Sequence, residues 1–424
     1  MMNGELASYR LLRQRNEYVT DSSRRDAHFF IVGDSIKANA LGRALSLAIT
    51  AREIGTVTVL AFHDGKTWSG ARQFDFEIRP FGRSDLVAIR NEVESASRTE
   101  TVIVWLSKGA DPLPKLAQLL RSVADVRIVA DFDDDDVSIM QEFMRSSVVN
   151  AAKANPLRRK APGRLLRSQA RLAALSDLVT YSSNALGEMY EKRWRRSRRR
   201  AVIPHTRPEA MPAPKQQGDP SCPVPLRLGF IGTVRSYKGA DVLVSLLRAD
   251  PAVQLITFAQ EWRPPSDLAE QWYTHASNTP LSALYAQIDA LILPMDATTP
   301  AGRFQLPAKL VDAAVHSSAV VATPTPPIEE FAAGAYLSVD DWSRPHDVLD
   351  RIVAADKAEL GRTLRLRYER FFSPEATSIQ LERGLGLSHS GAETGERRSG
   401  DKAAHGNRPL VTTLHPNPKQ ENPS

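Results

Sequence analysis

Between Ala290 and Phe331 the chain reads ALILPMDATTPAGRFQLPAKLVDAAVHSSAVVATPTPPIEEF, and no other stretch restricts the fold so tightly. The pattern predicts a buried strand over 290–293, a polar loop, and a helix opening at about Pro307. A second strand over 319–322 follows, then a Pro-rich turn and a further helix start at Ile328. Strand, helix, strand at this spacing is a βαβ unit, so the strands are parallel and the crossover right-handed. Open α/β sheets bind ligands in the loops after their strands' carboxyl ends. Pro307 suits the first position of a helix. Lys309 and Asp312 stand one turn apart near that helix's N-terminus, where unpaired N–H groups and a partial positive charge favour phosphate. Taken alone, the two residues equally fit an exposed surface pair worth a few tenths of a kcal/mol.

The rest of the chain repeats this alternation. After a polar arm over 1–25, the strands HFFIVG, TVTVLAF, TVIVWLS, VRIVADF, LSDLVTYSS and AVIP alternate with helical patterns, the first of which runs over about 39–53. That order describes a parallel sheet covered by helices, a first Rossmann-like domain over 26–205. A Pro-rich polar segment over 206–225 reads as a linker. The alternation restarts with LRLGFIG, GADVLVSLL, AVQLITFA, DALILP and SAVVAT, and helical patterns close a second domain over 226–387. Residues 388–424 are rich in Gly, Ser, Asn, Pro and mixed charge, the composition of a disordered tail.

Composition excludes several classes. With 42% hydrophobic and 25% charged residues the chain matches ordinary soluble domains. The single cysteine, Cys222, rules out an internal disulfide framework and a Cys-rich zinc site, and fits a reducing, cytoplasmic compartment. No apolar run reaches the roughly 18–20 residues that span a bilayer, and the first residues lack the apolar core of a secretory signal. The net charge of +6 is unevenly spread: 192–200 (KRWRRSRRR) holds seven cations around Trp194. Such a run is usually a solvated face, but an anionic lipid surface would also suit it, with Trp194 at the interface. Nucleic acid ranks lower, because the aromatic platforms of single-strand binders are absent. The acidic run Asp131 and Asp133 to Asp136 ends a strand, and without clustered His or Cys it reads as helix capping and solvated loop.

A second constellation follows LRLGFIG. Gly232 permits close backbone approach, Lys238 precedes Gly239 at a helix start, and Arg235 between them suits bidentate phosphate contact. Singly, this is a strand-to-helix turn with an exposed lysine, and it lacks the GKS or GKT ending of a P-loop. In combination, two phosphate-friendly helix starts about 70 residues apart in one α/β domain could converge on one diphosphate.

Together these motifs resemble the GT-B glycosyltransferases, specifically the retaining family-four group related to glycogen and sucrose synthases. GFIGTVRSYKGADVLV is similar to that family's strand, Gly loop, Lys-Gly and helix, and DALILP through PIEEF to its C-terminal signature. SDLVTYSSNALGEMY, AVIPHTRP and GDSIKANALGRAL resemble parts of its N-terminal domain, so the likeness covers about 28–385. It implies two Rossmann-like domains facing across a cleft, with transfer of a sugar from a nucleotide-diphosphate sugar to a glycan or lipid-linked acceptor in cell-surface polysaccharide or glycolipid synthesis. The nucleotide sugar is then a substrate, and neither metal nor other cofactor is implied. Carried over, Lys238 and Lys309 would stabilise the donor diphosphate as the catalytic cations. Gly232, Thr233, Arg235 and Leu310 would line the donor site, and Asp312 would take the place of the glutamate that binds ribose. Asp34, Asn39 and Gly42 would form the N-terminal loop facing phosphates or acceptor. Four positions depart from the family pattern. Phe304 and Asp312 replace its paired glutamates, Thr233 its arginine, and Ser317 a glycine. The departures also motivate a rival, a non-catalytic GT-B-like module that binds glycan or nucleotide. A sugar-nucleotide epimerase and a basic nucleic-acid binder are further rivals. The implied location is cytoplasmic, with peripheral contact at an anionic inner membrane face through 192–200 and no nucleic-acid partner.

Overall fold

The computed structural model describes residues 27–145, 161–195, 197–208, 225–232, 234, 238–258, 263–276 and 278–387, with only the backbone of Ala38 and Asn39. Thr233, Arg235, Arg196, Cys222, the 1–25 arm, most of the 206–225 linker and the 388–424 tail lie outside the described residues.

The strands are β1 (Ala27–Gly33), β2 (Thr56–Phe62), β3 (Ile78–Phe81), β4 (Thr101–Ser107), β5 (Val126–Phe132), β6 (Leu178–Tyr181) and β7 (Arg200–Val202). They continue as β8 (Arg227–Phe230), β9 (Gln254–Phe258), β10 (Trp272–His275), β11 (Ala290–Leu293), β12 (Ala319–Ala322) and β13 (Leu337–Ser338). They form two sheets, ordered β3-β2-β1-β4-β5-β6-β7 and β10-β9-β8-β11-β12-β13. Every strand pairing is parallel. Chain order therefore reverses between β1 and β4 and again between β8 and β11, the two switch points of doubly wound sheets.

The apolar runs are explained by burial on both faces. In β1, Phe30 and Val32 join one core while Phe29 and Ile31 join the other; in β11, Leu291 and Leu293 divide from Ala290 and Ile292 in the same way.

The last helix, Pro374–Leu385, departs from the expected domain boundary. Its Leu381 and Leu385 are buried in the first domain's core. Its Thr377 hydroxyl lies 3.1 Å from Thr50 of the first domain's helix Ala38–Arg52. Apolar side chains at helical spacing report that a helix buries one face, but not which sheet receives it. A second tie joins the domains at Glu330, whose carboxylate accepts from the backbone N–H groups of Asn184 and Ala185 at 2.7 and 2.8 Å. It thereby caps the first turn of helix Asn184–Trp194 with an anion.

The basic segment differs from expectation. Trp194 is partly buried against the first-domain core, with its ring 4.7 Å from Tyr190 and 5.2 Å from Phe132. Arg193 forks onto both oxygens of Asp135 at 2.6 Å, and Arg200 pairs with Glu191 at 3.2 Å. Lys192, Arg195 and Arg199 remain exposed. Among the described residues no helix is long and apolar enough to cross a membrane.

Candidate active site

The carboxyl ends of both sheets open into one cleft of about 540 Å³, lined by Gly42 and Arg43 on one side and Gly232, Lys238, Lys309 and Asp312 on the other. Asp133, Asp134, His205, Arg207 and Gln305 complete its polar wall.

On the second-domain side the two sequence constellations meet. Helix Ala308–Val315 starts beside the turn after β8, and Lys309 lies so close over Gly232 that a β-carbon there would stand 2.3 Å from its Cε. Glycine is required for that approach. Gly239, which opens helix Ala240–Ala249, adopts φ +77° and backs onto Pro294, with an added β-carbon 2.5 Å from the proline carbonyl oxygen. Lys309 is further placed by Tyr285, whose hydroxyl donates to the Lys309 carbonyl at 3.2 Å and whose ring stacks 4.9 Å from His316.

Asp312 is not half of an exposed surface pair. It is 7% exposed and accepts a 2.6 Å hydrogen bond from Arg207 Nε. Arg207 reaches it from the segment after β7. That segment is pinned by Thr206, whose backbone N–H donates to Ser46 Oγ at 2.7 Å, and by Tyr368, whose hydroxyl donates to the Arg207 carbonyl at 3.0 Å. The expected linker thus begins inside the structure, with Thr206 buried and Arg207 partly buried. Phe304, at the other acid position, packs against the first-domain core, and its neighbour Gln305 donates to Asp134 Oδ1 at 3.0 Å.

Leu310 is fully buried in the second-domain core, and Asp34 is 1% exposed; neither lines the cleft. The Asn39 side chain, Thr233 and Arg235 lie outside the described residues. Gly42 lines the cleft, and a β-carbon added to it would stand 3.4 Å from the Trp68 ring.

The acidic run after β5 is a buried ion network rather than a solvated cap. Arg43, with no exposed surface, forks onto Asp131 at 2.9 and 2.6 Å and donates to the carbonyls of Pro204 and Ile203. Burial pushes the Asp131 carboxyl up, and the Arg43 guanidinium opposes the shift. Lys108 Nζ sits 2.5, 3.4 and 3.3 Å from oxygens of Asp133, Asp134 and Asp136. Burial disfavours its ammonium, but the three carboxylates prevail and hold it well above the ordinary lysine value. Asp135 does cap, accepting from Ser138 N at 3.2 Å and from its hydroxyl at 2.5 Å, and it is also the partner of Arg193.

His205 had no signal in the sequence. It is 6% exposed and lines the cleft, with Nε2 3.8 Å from Asp133 Oδ2. Burial, then Arg43 and Arg207, depress its pKa well below the ordinary histidine value, so the ring is neutral. Among the described residues no group of three or more His, Cys, Asp or Glu side chains is placed to hold a metal ion.

Neither a family model nor a curated protein matches the chain. Solved structures do. HepE of Anabaena, in complex with UDP and glucose, is 13% identical with a TM-score of 0.60, over 85% of this chain and 99% of that one. Sucrose-phosphate synthase of Thermosynechococcus elongatus is 13% identical with a TM-score of 0.57, over 86% and 98%. A glycosyltransferase of Rickettsia africae is 12% identical with a TM-score of 0.55, over 86% and 100%. With two parallel sheets in doubly wound order and a cleft at their carboxyl ends, the chain has the GT-B fold of these proteins.

Proposed function

We propose that this chain is a glycosyltransferase that binds a nucleotide-diphosphate sugar in the cleft and transfers its sugar to a glycan or lipid-linked acceptor. The observation that carries this reading is the convergence of Lys309, Gly232 and Lys238 where two helices begin. Two lysines and a helix N-terminus lining one wall of the cleft suit a diphosphate, and they oppose the charge that grows on it as the glycosidic bond breaks. Asp312, one turn beyond Lys309, then accepts from ribose hydroxyls through the oxygen that Arg207 leaves available. Anabaena HepE, of the same fold, has been crystallised with UDP-glucose.

The finer reading is transfer with retention, without a metal or other cofactor, in cell-surface polysaccharide or glycolipid synthesis. We place it in the cytoplasm, where an anionic membrane face would meet the exposed cations Lys192, Arg195 and Arg199. A second reading, a non-catalytic nucleotide or glycan binder, draws on Phe304, which puts an aromatic ring on the first-domain core where the resemblance expects an acid.

The test is thermal stabilisation by UDP, GDP, ADP and their sugar conjugates, followed by turnover. A diphosphate at 100 times its dissociation constant adds about 2.7 kcal/mol of stability. Stabilisation by one of them that disappears in Lys309→Ala supports the site, and release of free diphosphate from the matching nucleotide sugar supports catalysis. Stabilisation without any release would favour the second reading. No stabilisation by any diphosphate overturns the transferase reading and leaves only glycan binding of the second.

A further inference from the structure

We propose that Arg207 is a specificity-determining residue that selects ribonucleotides: it donates to one hydroxyl of the ribose while Asp312 accepts from the other. This rests on the reading of the cleft as a nucleotide-sugar site and adds to it a residue from outside the second domain.

The first observation is how firmly Arg207 is held. Its backbone N–H donates to the Tyr368 hydroxyl at 3.1 Å, and that hydroxyl donates to its carbonyl at 3.0 Å. In the guanidinium, Nε donates to Asp312 Oδ1 at 2.6 Å and Nη1 to the Thr206 carbonyl at 3.0 Å. The Phe74 ring centroid lies 5.9 Å from Cζ. The group is planar with its donors in a fixed fork, so engaging Nε and Nη1 also fixes where Nη2 points.

The second observation is that the pair is only half used. Nη2 of Arg207 and Oδ2 of Asp312 have no hydrogen-bond partner among the described residues, and neither atom is sealed from solvent. Both residues line the cleft. A structural ion pair in this chain looks different. Arg193 spends both terminal nitrogens on both oxygens of Asp135, at 2.6 Å each. Arg207 instead leaves one donor and one acceptor open, side by side, on two groups already joined.

Charge and spacing then name the ligand group. A lone carboxylate one turn beyond Lys309 would repel a diphosphate in a partly enclosed cleft, where like charges interact more strongly than in water. Arg207 cancels that charge and leaves a neutral pair. A neutral donor and acceptor suit two adjacent hydroxyls, since each hydroxyl can donate or accept. Ribose carries such hydroxyls on neighbouring carbons and deoxyribose lacks one of them. A missing hydroxyl leaves one of the two protein groups unpaired, which is how a polar site rejects the lesser analogue.

The test uses the full chain with the variants Arg207→Ala and Asp312→Asn, the second isosteric and still able to accept from Arg207 through its amide oxygen. Calorimetric titration first finds which of UDP, GDP and ADP the unaltered chain prefers, and then compares that nucleotide with its 2′-deoxy and 3′-deoxy forms. Each missing hydroxyl should weaken binding to the unaltered chain at least about tenfold, the effect of one hydrogen bond to a charged group. In Arg207→Ala one of these two penalties should vanish and the other remain. In Asp312→Asn the pattern should reverse, because the new amide cannot accept. Both penalties surviving in Arg207→Ala would make the arginine mere scaffold. Both vanishing there would mean that it only places Asp312; either result overturns the proposal. Should Arg207→Ala fail to fold, Asp312→Asn alone decides, since loss of neither penalty or of both is again fatal. Equal binding of the ribonucleotide and either deoxy form by the unaltered chain overturns the proposal and leaves the diphosphate site standing. Failure of the unaltered chain to bind any diphosphate overturns the parent reading and this one with it.

Discussion

Replacing Gly232 with alanine separates binding from folding. The new β-carbon would stand 2.3 Å from Lys309 Cε and 3.2 Å from its Nζ, with no backbone atom among its three nearest neighbours. What must yield is therefore the outer half of a flexible side chain, which retreats by about 1 Å to ordinary contact at small cost. The fold should hardly notice: a loss below about 1 kcal/mol moves the melting temperature by a few degrees at most in a chain this long. The diphosphate should notice. A hydrogen bond from an ammonium to a phosphate oxygen contributes about 1.5–3 kcal/mol, and it is lost when the ammonium is pushed off its point. Affinity for the preferred nucleoside diphosphate should therefore fall about 10- to 100-fold. Calorimetric titration beside a melting curve reads both quantities from one preparation. Unchanged affinity with an unchanged melting point would mean that Lys309 does not serve the diphosphate. A collapse of the melting point would refute the premise that its side chain can move aside.

Gly239→Ala is the contrasting case. There the added carbon meets the Pro294 carbonyl oxygen and ring at 2.5 Å, and φ is +77°, so about 1–2 kcal/mol of backbone strain adds to a clash that cannot swing away. Its melting point should drop clearly further than that of Gly232→Ala, and equal curves would contradict the geometry. Ser317→Gly should act in the opposite direction. Ser317 holds φ +52°, a conformation costing about 1–2 kcal/mol for a residue with a side chain, set against about 0.5–1 kcal/mol of extra glycine entropy. A net gain of about 0.5–1 kcal/mol in chemical denaturation is expected, and a loss would show that the serine is not strained. Acid should weaken the fold through His205. Its folded pKa lies well below the unfolded value of about 6.5, so the unfolded chain takes up the proton first. Stability is thus intact above about pH 6.5 and declines below it, by up to about 1.4 kcal/mol per pH unit for one proton. His316, lowered by burial, acts with the same sign. Denaturation midpoints at pH 7.5 and 5.5 should differ less in His205→Asn than in the unaltered chain; an unchanged difference would remove His205 from the account.

The parallel architecture was legible because strands buried on both faces must be apolar throughout, and HFFIVG, TVIVWLS and ALIL are. The strands that escaped notice are β3, β10 and β13, and all three are sheet edges. An edge strand such as Trp272–His275 leaves Tyr273 45% exposed and so lacks the run that betrays its neighbours. The charged residues were read worst, for a related reason. Arg43 lies 88 positions from Asp131, Lys108 lies 25 from Asp133, and Arg193 lies 58 from Asp135. Only the sheet order, which puts β1 and β5 on either side of β4, brings such partners together, and no local pattern encodes it. A cation counted among its sequence neighbours therefore looks solvated when its anion arrives from elsewhere.

Asp312 shows where motif reading succeeds and where it stops. Its position one turn after Lys309 could be read, as could the loss of one methylene relative to the glutamate the resemblance expects. The structure adds Arg207, from a segment 105 positions earlier, bonded to Oδ1 at 2.6 Å and holding the shorter carboxylate toward the cleft. With Phe304 packed away against the first domain, Asp312 is the one of the two expected acid positions that still presents a carboxylate there. On the proposed reading, cations and helix termini would meet the leaving group and this carboxylate would meet hydroxyls.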